Sequence, residues 1–431
     1  MKKILLILLT ILLTGCTQSQ VKELPPTIHM VVTTDIHVID PSLVENKSLY
    51  DDLSLNYGDG RLLNYSGDIL QIFIDEMILT KPEYVIITGD LTLDGEKSSH
   101  EWLAKQLDKL IQADIQPLVI PGNHDIMSPT SRTYGSPSTY TPTLSAEEFA
   151  SIYKNYGYKN ALYRDENSLS YVYELRDNAW ILMLDTAMYY ENTSLGAESS
   201  GKIPSETFDW IETIGALAKE KGVELISSTH HSLIQHNSYF NSSYTLLNTL
   251  KAQRIFDEQN IRVNLSGHLH AQTIAQKELT NGNITDICTS SLLTYTNQYG
   301  DIHYTPFNNF DYKTKEVDVE TWAQTNSTNP DLLEFEDYSY AYFKHASTSR
   351  GADRFISKGY NDEQVASLQE AKGILNCYYF SGSANEVRDD FVETDFYQWL
   401  IEQDDDTKSY ILTMIQESPI YPKEISIPLN S

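Results

Sequence analysis

Two regimes of hydrophobic patterning divide the chain. From Ile28 to about Asp318, short apolar, β-branched runs alternate with stretches whose apolar residues recur at helical spacing. Ile28-His29-Met30-Val31-Val32 predicts a strand that ends at Thr33-Thr34-Asp35. Ile69 to Leu79 places Ile69, Ile72, Phe73 and Met77 on one helical face, and Pro82 stops it. The strand Tyr84-Val85-Ile86-Ile87 follows, and then a helix after Ser98, where Ser98 and Glu101 have capping-box spacing. Further strands are predicted at Pro117 to Ile120, Trp180 to Leu184, Leu225 to Ser227 and Arg262 to Leu265. Buried strands alternating with amphipathic helices imply an α/β sandwich.

Around Val319 the strand-like runs give way to helical segments. One is expected from Leu332 to Ala346, and a second from about Asn361 with Val365, Leu368, Leu375 and Tyr379 on roughly one face. A third follows Ser383, whose capping-box partner would be Glu386, and runs through Val387, Phe391 and Trp399. The pattern predicts a main domain over 28–318 and a C-terminal all-helical domain over 319–431, its aromatic stripes serving as core. No internal repeat points to a solenoid.

The first residues follow a different logic. Lys2 and Lys3 precede the apolar run Ile4 to Leu13, which has the length of a secretory signal. A helix needs about 20 apolar residues to cross a bilayer, so the run is too short to span, and no other segment is long enough. It ends in Leu13-Thr14-Gly15-Cys16, which resembles a bacterial lipobox. The expectation is a signal peptide over 1–15, lipidation of Cys16, a polar tether over 16–27 and an extracytoplasmic, membrane-anchored protein. Only Cys288 and Cys377 remain, and both are expected as free thiols. With no cysteine cluster, any metal site must draw on His, Asp and Asn.

Charge narrows the partners. The 431 residues carry 31 Lys and Arg against 60 Asp and Glu, a net charge of −29. Tight binding of long nucleic acid needs cations that replace condensed counterions, so that partner is excluded. A small anionic substrate is not, because bound metal cations reverse the local field.

Five short segments hold the candidate chemistry: Asp35-Ile36-His37, Gly89-Asp90, Gly122-Asn123-His124-Asp125, His230-His231 and Gly267-His268-Leu269-His270. Each follows a predicted strand, so all five can gather along one edge of the sandwich. Their side chains suit two adjacent divalent ions, Mn, Fe or Zn, with Asp90 able to bridge both. Glycine beside a ligand permits tight loops and close backbone approach. Two such ions can activate a hydroxide, orient a phosphoryl oxygen and stabilise the leaving oxygen.

The ordered series D-x-H, GD, GNHD, H and GHxH resembles the calcineurin-like metallophosphoesterase family over residues 28 to about 315. The resemblance implies a sandwich of two mixed β-sheets flanked by helices. It implies that Asp35, His37 and His270 bind one metal, that Asn123, His230 and His268 bind the second, and that Asp90 bridges them. His124 would be the non-ligand catalytic histidine, and Asp125 a structural or catalytic acid. The implied reaction is in-line attack of an activated hydroxide on phosphorus. His231 is a candidate substrate contact or supporting residue, and His100 a local structural one.

Departures from related patterns refine the resemblance. Protein serine/threonine phosphatases resemble GDxxDRG, whereas here Asp94 falls one place late and Gly95, not Arg, follows it. Purple acid phosphatases would have Tyr where Leu93 stands. The chain looks most like class III cyclic nucleotide phosphodiesterases and their secreted lipoprotein relatives. The implied activity is hydrolysis of small nucleotide phosphodiesters, cyclic ones included. The alternatives are a phosphomonoesterase or phospholipid-headgroup phosphoesterase and, from another class, a surface-binding lipoprotein with a decayed site. The N-terminal reading predicts that Cys16→Ala releases the protein or blocks its maturation. Fractionation with lipid labelling checks this, and an unlabelled wild type with an unchanged membrane fraction would contradict it.

Overall fold

The computed structural model describes residues 25–240, 243–349, 356–403, 406–417 and 422–429. Cys16, the signal segment and all but the last three tether residues lie outside them. The strands of the described residues form two sheets. The first contains β1 (Ile28–Thr33), β2 (Tyr84–Ile87), β3 (Gln116–Val119), β11 (Gln298–Thr305), β12 (Asn309–Glu316) and β13 (Glu424–Pro428), in the order β13-β12-β11-β1-β2-β3. The second contains β4 (Tyr163–Arg164), β5 (Tyr171–Arg176), β6 (Ala179–Leu184), β7 (Glu224–Thr229), β8 (Val263–Ser266), β9 (Thr273–Glu278) and β10 (Asn283–Cys288), in the order β4-β5-β6-β7-β8-β10-β9.

Both sheets are mixed. β1, β2 and β3 run parallel, with Met30 opposite Tyr84 and Ile86 opposite Leu118, while β11 lies antiparallel on the other side of β1. β6, β7 and β8 form the parallel centre of the second sheet. Strand β6 shows how the layers form. All six of its residues are buried. Ile181 and Met183 join the core between the sheets, whereas Trp180, Leu182 and Leu184 face a separate cluster. Period-two alternation thus covers both faces of one strand with apolar contacts.

The outer layers are helical. α1 (Lys47–Tyr57), α2 (Ser66–Thr80), α3 (Lys97–Gln112) and α4 (Ala146–Ile152) belong to the first half. Ile69, Ile72, Phe73 and Met77 of α2 and Leu103, Leu107 and Leu110 of α3 are buried in the large core. α5 (Ser205–Lys221) and α6 (Thr249–Glu258) cover the second sheet with Phe208, Ile211, Ile255 and Phe256. This is the two-sheet sandwich flanked by helices. The capping box expected at Ser98 is absent: α3 begins at Lys97 with Glu96 as its N-cap, so Ser98 already lies inside the first turn.

The C-terminal region contains α7 (Val319–Asn326), α8 (Pro330–Leu333), α9 (Phe335–Ser349), α10 (Asp362–Phe380), α11 (Ala384–Val392), α12 (Asp395–Ile401) and α13 (Asp406–Gln416). The single helix expected from Leu332 to Ala346 is interrupted at Glu334, which leaves helical geometry with ψ 47°. Asn361 caps α10 in a complete capping box with Gln364. Ser383 does precede α11, but its ψ of 10° is not the extended geometry of a capping hydroxyl, and no side-chain cap forms. The tail also departs from the all-helical expectation. Glu424–Pro428 returns to pair with β12 and covers what would otherwise be an open sheet edge. Val365, Leu368, Leu375, Leu400, Ile411 and Ile415 give the helices their own core, and Phe240, Ala271, Tyr379 and Met414 join a seam with the sandwich. Cys288 and Cys377 are buried and free. No described helix is long and apolar enough to cross a membrane.

Tyrosine hydroxyls lace the two sheets together. Tyr84 of β2 donates to Leu175 O of β5 at 2.7 Å, and Tyr171 of β5 donates to Val119 O of β3 at 3.0 Å. Tyr304 of β11 donates to the Glu224 carboxylate of β7 at 2.9 Å. Each ring fills core volume while its polar tip satisfies a buried acceptor on the opposite sheet. Tyr304→Phe should lower unfolding stability by about 1–3 kcal/mol, because the buried Glu224 loses a donor. Denaturant unfolding of the full chain measures this.

Candidate metal centre

The parallel strands of both sheets end on the same edge, and the five segments lie there. Asp35 and His37 follow β1, Asp90 follows β2, Asn123 and His124 follow β3, His230 follows β7, and His268 and His270 follow β8. Backbone bonds stitch these loops to one another: Asp35 N donates to Gly89 O and His37 N to Asp90 O, both at 3.0 Å, and Gly267 N donates to His230 O at 3.0 Å.

Both central carboxylates have one oxygen fixed and one directed at imidazoles. Asp35 Oδ2 accepts from Thr34 Oγ1 at 2.7 Å and from His268 N at 2.9 Å. Its buried Oδ1 has no hydrogen-bond partner; it lies 3.1 Å from His270 Nε2 and 3.8 Å from His37 Nε2. Asp90 Oδ1 accepts from His124 N at 2.9 Å. Asp90 Oδ2 lies 3.7 Å from His37 Nε2 and 3.4 Å from His230 Nε2. The ring nitrogens of His37 and His270 face each other at 3.3 Å. Such a knot of lone pairs, with a buried carboxylate oxygen left unpartnered, fits a cation placed among the donors.

Two groups of donors emerge. Single ligand atoms of Asp35, His37, Asp90 and His270 lie within 4.8 Å of one another, and those of His230, His231 and His268 form a second group. Asn123 Oδ1 lies 3.2 Å from His230 Nε2, so Asn123 joins the second. Neighbouring carbonyls set the imidazole orientations. His230 Nδ1 donates to Thr88 O at 2.8 Å, which turns Nε2 toward Asp90 and Asn123. His268 Nε2 donates to Ser243 O at 2.9 Å, which leaves Nδ1 as its lone-pair nitrogen. Fixing the tautomer in this way is the usual means of preparing a histidine ligand.

Charge follows the same geometry. Burial opposes ionisation of Asp90, but His230 and His124 outweigh it and hold the carboxyl well below the usual range. Burial would likewise depress His230, yet Asp90 raises it to about 9. His37 is pushed well down by burial and by Arg61. Burial and His230 push His268 down to about 4.

The backbone is forced to comply. Asp35, His37, Asp90, His268 and His270 have φ of 49°, 34°, 47°, 67° and 58°, a left-handed region that costs non-glycine residues on the order of 1–3 kcal/mol each. Glycines supply the clearance. A Cβ on Gly122 would lie 2.2 Å from both N and Oδ1 of Asp90, and one on Gly267 would lie 2.0 Å from Thr34 Oγ1.

His124 stands apart from both donor groups. Its ring meets that of His37 edge-on, with centroids 5.2 Å apart, and its side chain is 28% exposed. Asp94 Oδ1 lies 3.4 Å from His124 Nδ1 and also accepts from Thr130 Oγ1 at 2.9 Å. Burial lowers the basicity of His124, but Asp90 and Asp94 more than compensate, so its pKa is raised. Sequence reasoning treated Asp94 only as an acid one place out of register. The structure shows that the displaced acid still reaches His124, and the spacing within Gly89–Gly95 was the available signal.

Asp125 has a bracing position. Its two oxygens accept from Gly122 N, Leu91 N, Thr92 N and Thr92 Oγ1, joining the Asp90 and Asn123 loops. His100 supports the same brace from α3: its ring lies 2.9 Å from Asp125 O and 2.8 Å from Tyr153 Oη, and burial pushes its pKa down to about 3. His231 lies within the second donor group. The residue is fully buried, with Nε2 donating to Ser199 O at 3.2 Å and Nδ1 accepting from Thr186 Oγ1 at 2.8 Å. Its ring packs on that of His268 at 4.5 Å.

Residues 28–272 match the family model of calcineurin-like phosphoesterases, and residues 318–419 match that of the C-terminal domain of cyclic nucleotide phosphodiesterase. No curated protein matches the chain. Among solved structures, a dimetal phosphatase from Danio rerio is 12% identical, with a TM-score of 0.48 over 68% of this chain and 96% of the other. A purple acid phosphatase from yellow lupin (Lupinus luteus) seeds is 11% identical, with a TM-score of 0.43 over 68% of this chain and 52% of the other. The donor geometry predicts that Gly122→Ala, by displacing Asp90, weakens divalent-metal retention by about 10–100-fold. Elemental analysis after dialysis against graded chelator measures it.

Proposed function

The chain belongs to the calcineurin-like phosphoesterases, and on that basis we propose that it is a metal-dependent phosphodiesterase that hydrolyses small nucleotide phosphodiesters outside the cytoplasm. The observation that carries the reading is the pair of donor groups sharing Asp90, with His124 alongside but outside them. The match of residues 318–419 to a cyclic nucleotide phosphodiesterase C-terminal domain supports a diester as substrate. The N-terminal sequence supports a lipid tether at Cys16, which would keep the enzyme at the membrane surface.

Asp35, His37 and His270 would hold one divalent ion, Asn123, His230 and His268 a second, with Asp90 shared between them. Bound there, the ions supply Lewis acidity for activating water and neutralising phosphoryl oxygens. The chain's own residues do the rest. His124 Nδ1 lies 3.4 Å from Asp94 Oδ1, a pairing that would leave Nε2 for the reacting group. The raised basicity of His124 favours its protonated form, suited to delivering a proton from Nε2 to the leaving oxygen. Asp94 keeps the ring in that orientation, while Asp125 keeps the Asp90 and Asn123 loops in register.

Activity should vanish with chelator and return with Mn, Zn or Fe, and bis-(p-nitrophenyl) phosphate should be cleaved faster than p-nitrophenyl phosphate. Asp90→Ala should lose metal and rate together. His124→Ala should keep its metal and slow by about 10²–10⁴, less so for esters with good leaving groups. Full turnover by protein shown to be metal-free would refute the proposal, and consistently faster monoester cleavage would reassign it to a monoesterase.

A further inference from the structure

The start of β1 lies about 20 Å along the strand from Asp35 and His37, at about 3.3 Å per residue. There His29 stands directly opposite His303 of the antiparallel β11. Asp301 is two places from His303 and therefore on the same face of the sheet. Ile28, Met30, Ile302 and Tyr304 alternate with these residues and point into the core between the sheets. His29, Asp301 and His303 thus share the outer face. α2 covers that face only in part: Phe73 meets Tyr299 at 5.5 Å, and the helix ends at Thr80. Beyond it the His303 side chain is 55% exposed.

Both imidazoles bring Nε2 to one carboxylate. His29 Nε2 lies 2.7 Å from Asp301 Oδ1, and His303 Nε2 lies 3.8 Å from Asp301 Oδ2. The two rings stack, with centroids 4.8 Å apart and planes only 8° from parallel. One ligand atom from each of the three residues lies within 4.8 Å of the others. Hydrogen bonding alone does not account for this arrangement. Two protonated rings stacked face to face would repel, and the 3.8 Å separation at His303 is too long for a hydrogen bond. A divalent ion satisfies all three groups together. Tetrahedral zinc, with bonds of about 2.0–2.1 Å to nitrogen, needs ligand atoms about 3.3 Å apart, which a small turn of the exposed His303 ring supplies. Asp301 and His303 also line an open cavity of about 850 Å³, which gives a hydrated ion its entry path. The one competitor at the carboxylate is Lys315, whose Nζ lies 2.8 Å from Asp301 Oδ2. Its side chain is 43% exposed, so it can turn out into water when an ion arrives.

We propose that His29, Asp301 and His303 form a peripheral site for one divalent transition-metal ion, separate from the two donor groups around Asp90. Two imidazoles and a carboxylate suit zinc or copper(II) rather than calcium or magnesium, which take oxygen ligands. The ligands come from two strands, so a bound ion clips the start of β1 to β11. Because that geometry exists only in the folded chain, binding stabilises the fold.

Equilibrium dialysis of the full chain against zinc chloride, with bound metal measured by elemental analysis, tests the site. Wild type should bind one equivalent of zinc more than His303→Ala, a substitution at an exposed position that circular dichroism should show to be folded. The comparison holds whatever the centre at Asp90 retains, since both proteins share it. Lys315→Gln removes the competitor and should tighten the additional equivalent by about two- to fivefold, the scale of an exposed ion pair. A merely structural cluster of ion pairs gives no such gain. Equal zinc in wild type and His303→Ala, or no tightening in Lys315→Gln, would overturn the site.

Discussion

Holding buried carboxylates in the ionised state is the constraint around which this molecule is organised. Asp35 and Asp90 sit at the ends of apolar strands with almost no access to water. An unpaired charge in that position would be costly, so each needs both hydrogen bonds and positive partners. The chain meets the need asymmetrically. One oxygen of each residue is held by amide or hydroxyl donors, and the other is directed at imidazole nitrogens. The first interaction fixes position and the second leaves capacity for cations. The left-handed backbone at five donor residues and the glycines pressed against Asp90 and Thr34 are what this arrangement requires of the loops.

Strain of that kind persists only where the surroundings over-determine it. Here the surroundings include the C-terminal helices, which reach two of the loops that shape the site. Phe343 and Tyr338 of α9 pack against the loop carrying Arg61: Phe343 sits against Gly60, and Tyr338 Oη accepts from Asn64 at 3.1 Å. On the other side, Tyr410 meets Tyr239 edge-on at 4.8 Å, and Phe240 lies over Tyr379. That loop continues to Ser243, whose carbonyl orients His268, and to Tyr244, whose ring lies 5.4 Å from it. The helical region is therefore a support for the site's walls as well as a separate core.

Asp94 illustrates why spacing and geometry diverge. Measured along the sequence, it is one residue out of place against the protein-phosphatase pattern. In space, the turn through Gly95 brings its carboxylate to His124. A motif records positions along the chain, whereas a contact depends on where the loop turns, and a one-residue offset can be absorbed there.

The sequence by itself determined the parallel strands β1, β2, β3, β6, β7 and β8 and the residues that gather at their ends, because apolar periodicity and glycine-flanked polar segments are local signals. The strands around them, β5 and β9 to β12 among them, were not read from it. Ile28–Thr33, Tyr84–Ile87 and Ala179–Leu184 were legible from β-branched runs, and Asn361 from its capping spacing. Local signals failed where the choice was not local. Ser98 could have capped α3, but the helix began earlier; Glu424–Pro428 became a strand only because β12 offered an edge. The burial of His231 between Thr186 and Ser199 was not legible either. Arg61 carried no signal at all, since a lone arginine in a polar loop is unremarked until the fold buries it. Tertiary structure alone decided these points, because each depends on which distant segments pack together, and chain spacing does not encode that.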